Sequence, residues 1–143
     1  MLRLKYVMLL FAILLLSAPA LAQTEPYTPK AGSAERKAIM DSLRVPVQKR
    51  LLKPVVFKVD HLKVQHGWAF MRGVPQQPDG KPMDYKGTGY EKAQKDGIFD
   101  DWICALLRKQ GAKWQVVQFV IGATDVVYIG WDEKYKAPPA IFE

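Results

Sequence analysis

Two neighbouring segments are apolar on both side-chain parities. Trp102 to Lys109 interleaves Trp102, Cys104 and Leu106 with Ile103, Ala105 and Leu107. Trp114 to Ile121 sets Trp114, Val116 and Val120 against Val117, Phe119 and Ile121. Gln110-Gly111-Ala112-Lys113 between them is a short, Gly-containing hairpin connection. Successive strand residues point to opposite faces of a sheet. Neither face of this hairpin is suited to water, so the chain must cover both. One expected cover is an N-terminal helix. The other is a long loop, the C-terminal tail or a partner subunit.

The rest of the chain supplies these pieces. Ser33 reads as a helix N-cap, and Glu35 places a carboxylate in the first turn, where the helix dipole favours it. Ile39, Met40 and Leu43 follow at helical spacing, with Ala38 and Val47 extending the stripe. Pro46 lacks an N–H and biases Val45 away from helix. The pattern predicts a helix over 34–44, then a turn or kinked continuation to Leu52. Val55 to Gln65 and Trp68 to Val74 read as a hairpin through His66-Gly67. Val55, Phe57 and Val59 share one parity, Leu62 and Val64 the other. That change of phase predicts a β-bulge at Asp60-His61.

Pro75 to Gly97 is rich in Pro and Gly and reads as a long loop. A loop of that length in a small domain is usually functional or mobile. Gln23 to Gly32 reads as a flexible lead-in. The tail from Gly122 to Glu143 carries Tyr128, Trp131, Tyr135 and Phe142, and is expected to wrap the sheet. The predicted fold class is α+β: a single domain over 33–143, with an N-terminal helix on a curved four-stranded antiparallel sheet of two hairpins.

Residues 1–22 read as a secretory signal peptide. Arg3 and Lys5 give the positive start, Val7 to Leu16 the apolar core, and Ala20-Leu21-Ala22 the cleavage signature. That core is shorter than the roughly 20 apolar residues a membrane-crossing helix needs. The mature chain is expected to begin at Gln23, in the periplasm or secreted, with no stable membrane insertion after cleavage.

Composition removes several classes of function. The formal net charge is +7 and the charges are scattered, which is no nucleic-acid footprint. One cysteine, Cys104, excludes a disulfide framework or a thiolate zinc site. The two histidines, His61 and His66, do not make a metal cage. No Gly-rich phosphate loop joins a strand to a helix. No metal and no cofactor are expected. Cys104 lies mid-strand among apolar residues and reads as a buried, inert thiol.

The order of elements over about 33–121 resembles a cystatin-like domain, a group that includes the nuclear-transport-factor-like domains. At sequence level, several stations are similar to those of a small family of exported bacterial proteins, mostly uncharacterised. They are Val59-Asp60-His61-Leu62-Lys63-Val64, Arg72-Gly73-Val74-Pro75-Gln76, Phe99-Asp100-Asp101, Ala105-Leu106-Leu107-Arg108-Lys109 and Val120-Ile121-Gly122-Ala123-Thr124-Asp125-Val126. That likeness brings no catalytic residues with it.

The residues themselves offer two sets of candidates. Asp60 and His61 meet at the expected bulge, where a carboxylate orienting an imidazole would make a general base. Asp100 or Asp101 begins one strand of a hairpin and Asp125 ends its partner, so the pairing brings carboxylates together. These make His61, Asp60, Asp101 and Asp125 the acid/base candidates. Tyr85 and Tyr90 in the loop, and Trp131 and Tyr135 in the tail, are the aromatic binding candidates.

The expected function is therefore that of an exported, non-catalytic binding protein. An inhibitor or immunity-type partner of an envelope protein is one form of it, and a small ligand is the other type of partner. The alternative is a small nuclear-transport-factor-like enzyme or ligand pocket on the concave sheet face. A homodimer through the sheet is a further arrangement the pattern allows.

Overall fold

The structure, a computed structural model, describes residues 24–143. The expected signal segment lies outside the described residues. The elements are α1 (Ala34–Leu51), β1 (Val56–Gln65), β2 (Trp68–Gln76), α2 (Glu91–Lys95), β3 (Ile103–Gln110), β4 (Lys113–Ile121) and α3 (Trp131–Tyr135), followed by a 3-10 turn at Pro139–Ile141. The class is α+β. The four strands form one antiparallel sheet in the order β1-β2-β3-β4.

The Ser33 hydroxyl accepts from the Arg36 N–H at 3.2 Å and caps α1. Glu35 near its start, and Lys49 and Arg50 near its end, complement the dipole. The helix does not stop at Pro46 but runs on to Leu51, and Leu52 ends it in the left-handed region at φ 56°. Pro46 has no N–H to give the Ser42 carbonyl. The Ser42 hydroxyl, on the same turn, donates to the Trp114 carbonyl in β4 at 2.9 Å. Ile39, Leu43, Val47 and Leu51 recur every four residues and are fully buried.

The strands sort their side chains into two clusters. Ile103, Ala105 and Leu107 of β3 join Leu62, Val64, Ala69 and Met71 in a core that also holds the buried residues of α1. Cys104 and Leu106 join Trp68 and Phe70 in a second cluster. Alternate β3 residues thus enter different clusters, which lie on opposite faces of the sheet. The tail supplies Trp131, Ala137 and Ile141 to the second cluster. The loop between β2 and β3 supplies Met83 and Tyr85 to the first. The tail therefore lies over one face, while the loop sends residues to the other.

Both outer strands carry or meet a bulge. In β1 the pairing passes from Val59–Gly73 to His61–Arg72, leaving Asp60 unopposed. That lets Phe57 and Val59 pack against the same cluster as Leu62 and Val64 despite the change of parity. In β4 the pairing passes from Leu106–Gln118 to Leu107–Val116, leaving Val117 unopposed. Trp114 and Val116 then share a cluster with Phe119 and Ile121. The apparent two-sidedness of β4 is largely this shift of phase.

The described part of the lead-in touches the sheet at one point. Tyr27 makes a two-bond antiparallel bridge to Val64, at 2.9 and 2.8 Å. Its hydroxyl donates to the Glu35 carboxylate at 3.0 Å. Burial, then that carboxylate, pushes the Tyr27 hydroxyl up to about 12.

Gly73 shows how closely the bulge draws the strands together. A Cβ there would collide with the Lys58 carbonyl and the backbone of Val59. Backbone cannot swing aside as a side chain can. Gly73→Ala should therefore cost about 1–3 kcal/mol in chemical denaturation. Gly89→Ala, with open space around it and no positive φ, should stay near wild type. Equal stability of the two variants would contradict this packing.

Candidate functional site

The expected acid/base residues do not converge. Asp60 is the exposed, unopposed residue of the β1 bulge. His61, the next residue, shares an aromatic contact with Phe70 of the second cluster, ring centroids 5.7 Å apart. Its Nε2 donates to the Ile141 carbonyl at 2.8 Å, so the histidine clamps the tail onto the sheet. Asp101 accepts the Tyr85 hydroxyl at 2.6 Å. Asp125 stands in a different hollow from His61. Asp100, and not Asp101, is the carboxylate that shares a cleft with Asp125.

The aromatic binding candidates also separate. Tyr85 is only 1% exposed and packs on Phe99 at 4.6 Å, so it belongs to the core and not to an open surface. Burial, reinforced by the hydrogen bond to Asp101, pushes its hydroxyl far up. Tyr90 is half-buried beside it, and its hydroxyl accepts from Arg50 at 3.4 Å. Trp131 is buried edge-on to Phe70 in the second cluster, with half-buried Tyr135 against it. Tyr85 and Trp131 thus lie on opposite faces of the sheet, and the four do not form one surface.

A different group of residues does come together. An open cleft of about 330 Å³ lies where β3 begins and β4 ends. Arg72, Asp100, Trp102, Thr124, Asp125, Val126 and Tyr128 line it. Two backbone bonds zip its sides: the Asp100 N–H to the Gly122 carbonyl at 3.3 Å, and the Gly122 N–H to the Trp102 carbonyl at 3.0 Å. The Trp102 indole N–H donates to the Ala123 carbonyl. Trp102 stands edge-on to Tyr128, centroids 6.3 Å apart. These contacts fix two aromatic walls on the end of the hairpin.

Arg72 is the cation of this cleft. It comes from β2, paired with His61 on one side and Cys104 on the other. Its guanidinium lies 5.7 Å from the centre of the Tyr128 ring, a cation–π contact. It forms no ion pair among the described residues, and its Nε is buried with no acceptor. An unmet buried donor costs on the order of 1–3 kcal/mol. The sequence reading missed this residue as a site. Its signal was one charge in line with Trp68 and Phe70, on the side of β2 that is otherwise apolar.

Next to Arg72, Cys104 is fully buried. Burial is the main cause that pushes its thiol up to about 12, which leaves it protonated and unreactive at neutral pH. Among the described residues, no three metal-binding side chains gather in one place. No helix there is long and apolar enough to cross a membrane. Comparison with protein-family models, with curated proteins and with solved structures finds no match for this chain.

The His61 clamp has a pH signature. Burial, with the nearby Arg72 and Lys63 charges, holds its pKa below the ordinary value of 6.5, against the raising effect of the Ile141 bond. The unfolded chain then takes up the proton first. Stability from the neutral form is complete above the unfolded pKa and is lost as pH falls through the lowered folded one. Denaturation between pH 8 and 5 should show wild type losing stability that His61→Ala does not lose. At pH 8 the variant should be weaker by about 1–3 kcal/mol, because the Ile141 carbonyl is left unpaired. Parallel pH profiles would contradict the assignment.

Proposed function

We propose that the chain is an exported binding protein with no catalytic step of its own, and that the Arg72 cleft is its recognition site. The observation that carries the reading is the Arg72 guanidinium, held against Tyr128 but without an ion pair among the described residues, in an open cleft walled by Trp102 and Tyr128. A charged group in a cleft with no ion pair gains a counter-charge when a ligand of opposite sign arrives. His61 with Asp60, Asp101 with Tyr85, and Asp125 fall in three different places, which favours binding over acid/base catalysis. The cleft volume is at the small end of the roughly 300–1,000 Å³ of ligand pockets. It suits a small molecule or one projecting group of a partner. An inhibitor or immunity-type role towards an envelope protein would use it in the second way.

The basic start, apolar core and Ala20-Leu21-Ala22 ending support export to the periplasm or beyond. In architecture, the cluster shared by α1 and all four strands supports a cystatin-like arrangement with the helix across the sheet.

The test is retention by immobilised protein from an envelope extract, with wild type and Arg72→Gln side by side. A component held by wild type and released by the variant is the expected result. Equal retention by both would move the site elsewhere. Turnover of a retained component would contradict the non-catalytic reading. Mass spectrometry of the exported protein should find Gln23 as its first residue, and a full-length membrane-bound form would contradict export.

A further inference from the structure

The cleft holds charges of both signs that do not neutralise each other. Arg72 contributes a cation, and Asp100 and Asp125 contribute two carboxylates. None of the three forms an ion pair among the described residues. Arg72 therefore stands more than 4 Å from either carboxylate while lining the same hollow. A simple anion attracted by Arg72 meets two aspartates, and a simple cation attracted by the aspartates meets Arg72. A ligand that carries both charges, a few bonds apart, meets neither repulsion.

Apart from Thr124, the rest of the lining is apolar or aromatic. Trp102 and Tyr128 stand edge-on to each other, and Val126 is half exposed at 50%. Such walls accept a hydrocarbon or an aromatic ring. The planar guanidinium fork matches a carboxylate in bidentate geometry. The Thr124 hydroxyl adds a group that both donates and accepts.

We propose that this cleft binds a free amino acid with an apolar or aromatic side chain. Arg72 takes its carboxylate, Asp125 with Asp100 takes its ammonium group, and Trp102 and Tyr128 hold its side chain. The proposal rests on the cleft being the recognition site and names the chemistry of what enters it.

The experiment is calorimetric titration of the mature protein with L-phenylalanine, L-leucine and L-tryptophan. 3-Phenylpropionate, which lacks the ammonium group, and phenethylamine, which lacks the carboxylate, complete the set. The expected result is saturable binding of at least one amino acid. For L-phenylalanine, each truncated analogue should bind at least tenfold more weakly. Arg72→Gln should abolish the preference for L-phenylalanine over phenethylamine. Asp125→Asn should abolish the preference over 3-phenylpropionate. Two variants, each tied to one end of the ligand, keep the test valid if one of them folds poorly. No saturable binding of any of the three amino acids overturns the proposal. So does equal binding of the zwitterion and both analogues. If the extract experiment succeeds at Arg72 while these titrations fail, the cleft remains a binding site and only the ligand class falls. If Arg72→Gln fails to alter either experiment, the cleft itself is wrong.

Discussion

Everything in this fold depends on sealing a sheet that is apolar on both faces. β3 is the clearest case, since five successive residues, Ile103 to Leu107, are buried. A strand of that kind is stable only between two covers. On one side, strand residues share a buried cluster with Ile39, Leu43, Val47 and Leu51 of α1 and with Met83 and Tyr85. The other is closed by a short tail that packs Trp131, Ala137 and Ile141 against Phe70, Cys104 and Leu106. The His61–Ile141 hydrogen bond fixes the far end of that tail. Tyr128, at its near end, packs on Phe70 with centroids 4.8 Å apart and meets Arg72. The candidate site is therefore a by-product of the seal, formed where the tail first turns over the sheet edge.

Much of this was legible in the residues. The two hairpins, the bulge beside Asp60, the capping Ser33 and the buried Cys104 all follow from local pattern. So does a tail too aromatic to float free. These features depend on neighbours in sequence or on alternation along a strand. Pro46 was legible as a stop or a kink with continuation to Leu52, and the burial of Val47 and Leu51 goes with the helix running through it.

The site was less legible, for physical reasons. The fate of Tyr85 is set by Asp101, sixteen residues away, and by Phe99, so loop composition pointed to a surface where the structure has a core. Asp100 and Asp101 are adjacent in sequence but serve different neighbours, one lining the cleft and one holding Tyr85. The bulge in β4 at Val117 was hidden by apolar residues on both parities. Arg72 was not legible as a site because its meaning is largely negative: among the described residues it forms no ion pair, and its Nε has no acceptor. Only the assembled contacts reveal that.

The central claim is that the tail seals the second face of the sheet, and Cys104 is a built-in reporter for it. The most direct measurement is the rate of thiol labelling in native buffer for wild type and for Ile141→Asp, with strand content followed by circular dichroism. A carboxylate at that buried position should release the tail. The account predicts slow labelling of wild type and much faster labelling of the variant while the sheet persists. Equally slow labelling of both proteins would show that Cys104 is covered by something other than the tail, and would contradict the account.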